Sequence, residues 1–118
     1  MWRSIPAIAA LALIPVSSFA ADCRVTGRPS EFGVDMTAYF AVRSGETCKF
    51  PIRIPGMMKS SGVSQARAHG RVSQLNVTTF TYTAARGYKG GDTFAIYGIG
   101  EGPYGSGRSV ITVNATIQ

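Results

Sequence analysis

The sequence predicts an all-β domain of about seven antiparallel strands over residues 21–118, folded as a sandwich or small barrel behind a cleavable leader. Three observations carry that expectation. After Asp22 no stretch repeats its apolar residues with the 3.6-residue period of an amphipathic helix, whereas period-two alternation recurs along the chain. The alternating runs are short, as the strands of sandwiches and barrels are. Segments containing the glycine that a tight reversal needs separate them.

The first element in order is not part of the domain. Residues 1–20 open with Arg3, continue through the apolar run "AIAALALIPV" and end in the small residues of "SSFA", the three-part order of an export signal. Ser18 and Ala20 hold the two positions that a signal peptidase inspects, so cleavage is expected after Ala20. A membrane span needs roughly twenty apolar residues, about twice this run, so no transmembrane anchor is expected to remain. Asp22 stands where a lipid-anchored cysteine would want a small residue, which speaks against a lipid on Cys23.

The expected strands follow: "MTAYFAVR" (36–43), "TCKFPIRI" (47–54), "VSQARA" (63–68), "RVSQL" (71–75), "TFTYTA" (79–84), "DTFAIYG" (92–98) and "SVITVNATI" (109–117). In the last of them Ile111, Val113, Ala115 and Ile117 point one way and Thr112, Asn114 and Thr116 the other. Phe80 with Tyr82, and Phe94 with Ile96, form matching apolar pairs, and these residues are the expected core. The corner "GYKGGD" is expected to join neighbouring strands at one end of the sandwich. Gly87, Gly90 and Gly91 offer positive φ for that path, and Asp92 can cap the turn with its carboxylate.

Without the leader, 98 residues remain, enough for one domain whose core stabilises it only marginally. Cys23 and Cys48 are the only cysteines, and in an exported chain they are expected to form a disulfide. Closing that loop is worth about 3.5 kcal/mol in the chain-entropy model. Two cysteines and the single His69 do not make a four-ligand metal site, so neither metal nor cofactor is expected.

Loss of Arg3 with the leader takes the formal charge from +6 to +5. Arginine supplies most of the cations, a balance that suits anionic partners. They are scattered singly, with no basic run and no nucleic-acid motif, so nucleic acid is not an expected partner.

From about Gln65 onward the order "ARAHGRVSQLNVTTFTYTAARGYKGGDTFAI … SVITVNATI" resembles the bacterial Ig-like and cadherin-like repeats of surface proteins. The places that carry the resemblance are His69 and Gly70, then "YTA", then Gly87, Tyr88, Gly90, Asp92 and Phe94, then "VITVNATI". It implies an Ig-like β-sandwich and a bacterial protein that is periplasmic or extracellular. Ala68 replaces the family's common proline, and the aspartate clusters of its calcium-binding relatives are missing, so calcium is not implied. Adhesins string many such repeats together, whereas this chain carries one copy.

Several motifs point elsewhere at first sight. Gly100, Gly102 and Gly105 spell G-x-G-x-x-G, but a strand follows them rather than the helix that a dinucleotide site requires. Asn76 and Asn114 are formal glycosylation sequons at or inside expected strands, and neither is expected to carry glycan. Met57 and Met58 lie in the expected loop "PGMMKSSG", where one of the pair is expected to tuck under the loop as core, the alternative being an exposed adaptable patch. His69 is the sole histidine, with no carboxylate evident beside it in sequence, so no catalytic residue is assigned.

The expectation for function is a non-catalytic binding or structural module whose partner is a protein or an anionic envelope polymer. A small hydrolase built on His69, or a basic binder of anionic glycolipid or glycan, are the alternatives. The segment "YGIGEGPYGSGR" (97–108) is expected to be a long, adaptable loop, either a tip whose Tyr104 packs back on the sandwich or a partner site in which Tyr97, Tyr104 and Arg108 make the contacts, since such residues concentrate at binding hot spots.

Overall fold

The computed structural model describes residues 21–27, 31–66 and 68–118, and the expected leader, residues 1–20, lies outside the described residues. The described chain is all-β. Its eight strands are β1 (Ala21–Asp22), β2 (Met36–Val42), β3 (Thr47–Pro51), β4 (Met57–Gln65), β5 (Arg71–Asn76), β6 (Thr79–Thr83), β7 (Gly90–Glu101) and β8 (Ser106–Ile117). They form two four-stranded sheets, in the orders β1-β3-β6-β5 and β2-β8-β7-β4, packed face to face as a β-sandwich.

Two features depart from the expected seven antiparallel strands. Both sheets are mixed, because β1 runs parallel to β3 and β2 parallel to β8. A parallel pair cannot be closed by a tight turn. The chain therefore places β1 on one sheet and then crosses to the other before β2, a path that reading reversals one at a time does not reveal. The extra strand length comes from "PGMMKSSG", expected as a loop, which provides the first two thirds of β4. Its register on β7 shifts between Met58 and Ser60 and again between Val63 and Gln65. Each irregularity breaks the period-two pattern by which a strand is recognised in sequence.

The buried faces are those that alternation picks out. Phe80, Tyr82, Phe94, Ile96, Ile111 and Val113 are all buried, as are Ala115 and Ile117. Phe40 and Phe50, from β2 and β3, join Tyr82 and Phe94 in an aromatic centre where the Tyr82 and Phe94 rings stack at 5.4 Å. Disulfide formation brings Cys23 and Cys48 to a Cα separation of 4.9 Å and ties the segment after β1 to β3. No helix among the described residues is long and apolar enough to cross a membrane.

The registers define two ends of the sandwich. Thr47, Arg71, Thr83, Gly90 and Ile117 meet at one end, and Pro51, Thr79, Glu101 and Ser106 lie toward the other. The corner "GYKGGD" leads from β6 into β7, which belong to opposite sheets, so it spans the sandwich and does not join neighbouring strands. Gly87 and Gly90 take the positive φ expected of them (86° and 132°), while Gly91 does not.

Candidate functional site

The segment expected to be a long loop is a hairpin. β7 continues to Glu101 and β8 begins at Ser106, leaving a four-residue turn over Gly102, Pro103, Tyr104 and Gly105 closed by a hydrogen bond from Gly102 N to Gly105 O. Glycine serves close packing here more than freedom. A Cβ on Gly100 would lie 2.6 Å from the Phe32 ring and one on Gly98 2.8 Å from Met58 Cε, so both glycines make room for core side chains. Met58 accordingly packs against the core while Met57 remains 69% exposed, which divides the methionine pair as expected.

This geometry turns Tyr97 and Arg108 from loop residues into ladder residues. Inward positions of β7 are Phe94, Ile96, Gly98 and Gly100, so Tyr97, Ile99 and Glu101 project from the outer face. Arg108 stands directly opposite Ile99, and its guanidinium carbon lies 4.7 Å from the centre of the Tyr97 ring. Such a cation–π contact at a surface is worth about 0.5–1 kcal/mol and holds both groups in one orientation. The tyrosine ring also covers Gly62 on β4, where a Cβ would come within 2.8 Å of it. Beside them Lys59 Nζ donates to Glu101 Oε2 at 2.5 Å, which holds the Glu101 carboxyl below its ordinary range. Tyr104, 72% exposed, caps the turn. The outer face of β4, β7 and β8 therefore gathers Tyr97, Arg108, exposed Met57 and Ile99, and an ion pair, with Tyr104 on the turn at its end.

The expected corner residues build something different. Asp92 is buried at the start of β7, where its carboxylate accepts the backbone amides of His69 (2.8 Å) and Gly70 (3.0 Å) and the hydroxyl of Tyr82. It caps the distant "HG" turn as well as its own, since Thr93 N also donates to it at 3.1 Å. Burial pushes the carboxyl up, but the Tyr82, His69 and Gly70 hydrogen bonds and the nearby His69 outweigh it and set the net shift downward. Tyr82 moves upward, first through burial and then through its bond to Asp92. Gly70 is required because a Cβ there would meet Thr83 O at 2.3 Å and the Tyr82 ring at 2.7 Å. Tyr88 stacks on His69 at 4.1 Å and donates to Gly91 O, and Phe94 lies in the core. A carboxylate thus does approach His69 in space, but it serves the backbone of the turn.

Two concavities lie among the described residues. One, of about 300 Å³, lies beside the disulfide, lined by Cys23, Val25, Met36, Phe50 and Ile52 with the Asp22–Arg53 ion pair near it. The other, of about 390 Å³, opens at the His69 end and includes Arg71 and Arg86. Among the described residues no group of three or more histidine, cysteine or acidic side chains converges as a metal site. No family model, curated protein or solved structure matches this chain.

Proposed function

We propose that the protein is an exported, single-module Ig-like domain of the bacterial envelope or secreted space that works as a non-catalytic binding module through the outer face of β4, β7 and β8. The strand orders support the Ig-like reading, because an Ig sandwich has its first, second, fifth and fourth strands in one sheet and its third, sixth and seventh in the other. Dividing the first strand into β1 and β2 gives that arrangement. The meeting of "HG" with Asp92 supports the resemblance to bacterial Ig-like repeats, since two of its separate motif places touch. The disulfide supports export.

The observation that carries the binding role is Arg108 stacked on Tyr97 on a sheet face that also exposes Ile99 and Met57, with exposed Tyr104 on the turn that closes the hairpin. Rigid aromatic and arginine side chains on a fixed ladder lose little freedom on binding, which is why such groups anchor interfaces. Catalysis is not part of the proposal: His69 stacks on Tyr88, and the oxygens of Asp92 already serve backbone amides and Tyr82.

Photo-crosslinking in the native host tests this reading. A crosslinking residue at position 104 should yield a discrete adduct that Arg108→Ala weakens, and one at position 75, on the exposed edge strand β5, should not. Equal labelling from both positions would refute the assignment. Replacing His69 by alanine should leave capture intact.

A further inference from the structure

We propose that the His69 end of the sandwich binds phosphate groups at a site separate from the Tyr104 face. Arg43, Arg71, Arg86 and Lys89 are all exposed at this end, carried by the reversals after β2 and β6 and by the start of β5. Among the described residues, the two ion pairs lie elsewhere, Arg53 with Asp22 and Lys59 with Glu101. The acids at this end are Glu46, exposed on the turn before β3, and Asp92, which is buried and occupied by the His69, Gly70 and Thr93 amides and the Tyr82 hydroxyl. Among the described residues, four side-chain cations therefore face solvent against a single exposed side-chain carboxylate, a local excess that draws anions.

Arg71 and Arg86 line the same open cleft, together with Gly45, His69 and Ala85. Its rim is braced. Ser44 Oγ donates to Ala85 O at 3.1 Å and accepts from Gly87 N at 2.7 Å, and the stem of Arg86 lies over Gly45, with Cγ 3.9 Å from where a Cβ would stand. Arginine forks match phosphate oxygens in pairs, and two of them on one braced cleft suit a phosphate ester better than a lone carboxylate. The same chemistry is presented by a soluble phosphorylated sugar and by a phospholipid headgroup, and the experiment separates these sources.

Amide NMR of the purified protein titrated with sodium pyrophosphate at constant ionic strength reads the site directly. Saturable shifts at Gly45, Arg71, Arg86 and Gly87 are expected. Arg71→Ala and Arg86→Ala should each bind about tenfold more weakly, the effect of losing one charge-assisted contact, with melting temperatures unchanged because both side chains are exposed. Co-sedimentation with phosphatidylglycerol vesicles forms the second arm: binding there as well assigns a lipid headgroup, and binding to pyrophosphate alone assigns a soluble ligand. Shifts reproduced by sodium chloride at the same ionic strength, or full affinity retained in both variants, overturn the proposal. Crosslinking from position 104 should be untouched by either substitution, which keeps this site and the sheet-face reading separable.

Discussion

In Asp92→Ala the carboxylate that joins β6, β7 and the "HG" turn disappears, and the cost follows from what each donor can do afterwards. The amides of His69 and Gly70 lie at the edge of the fold and regain water, so each forfeits only the advantage of a charged acceptor. Tyr82 is fully buried, and its hydroxyl loses its partner with no water to replace it. A buried unsatisfied group costs about 1–3 kcal/mol, and a hydrogen bond to a charged group contributes about 1.5–3. Together these predict a loss of about 3–5 kcal/mol, a large part of the 5–15 typical of a domain. Thermal unfolding should show a melting temperature lower by roughly 15–30 °C. Tyr82→Phe removes the stranded donor and should cost only about 1–2 kcal/mol. The acid limb provides a second reading of the same interaction. Asp92 is held below its ordinary range in the folded state, so its contribution is present above the usual aspartate pKa of about 3.9 and is lost as pH falls below it. Asp92→Asn should lack that part of the acid dependence. An Asp92→Ala protein melting within about 5 °C of the parent, a shift near 1 kcal/mol, would refute this account.

Other outcomes follow from the same structure. Replacing both Cys23 and Cys48 by alanine should cost about 3.5 kcal/mol in urea unfolding, because the bridge spans a sequence separation of 25 residues. Gly70→Ala should destabilise by at least 2 kcal/mol, roughly the effect of forcing backbone and ring apart, whereas Gly87→Ala, with open space around it but φ of 86°, should cost only about 1 kcal/mol. Tyr104→Ala should change the melting temperature by less than about 2 °C, the range of ordinary surface substitutions, and Arg108→Ala should cost no more than the roughly 1 kcal/mol of its contact with Tyr97. Raising pH above about 10 should begin to unfold the protein through Tyr82, whose proton is retained more strongly in the folded state, and Tyr82→Phe should blunt that limb.

Alternation in β6, β7 and β8 made the buried residues legible, because a residue's inward or outward direction is a local property of an extended chain. Strand partners were not legible. Nothing local to Met36 announces that it pairs with Ile111, and the bulges of β4 erased the pattern that would have marked Met57 as a strand residue. Glycines misled most. In sequence, Gly98, Gly100 and Gly102 read as freedom for a loop, yet in space Gly98 and Gly100 admit Met58 and Phe32, and a Cβ on Gly102 would lie 2.0 Å from Pro55 O. Tyr97 and Arg108, read from sequence as residues of one loop, lie instead on paired strands, and their contact belongs to the ladder. The cleft between Arg71 and Arg86 was invisible because fifteen positions of chain separate residues that the β5–β6 pairing brings together.

The parallel seam between β2 and β8 has a consequence for how the chain reaches this state. Met36 meets Ile111 and Val42 meets Ile117, so every rung of the seam links residues 75 positions apart. No local turn can nucleate such a contact, and closing so wide a loop must precede the hydrophobic reward of filling it. Until β8 arrives, β2 presents an unsatisfied edge, and β7 has only β4 beside it. Folding should accordingly fall in the slow, millisecond-to-second regime of domains dominated by distant contacts. A chain crossing a membrane from its N-terminus would expose that edge throughout its passage, the interval in which pairing with a second unfinished copy competes with completion of the sandwich.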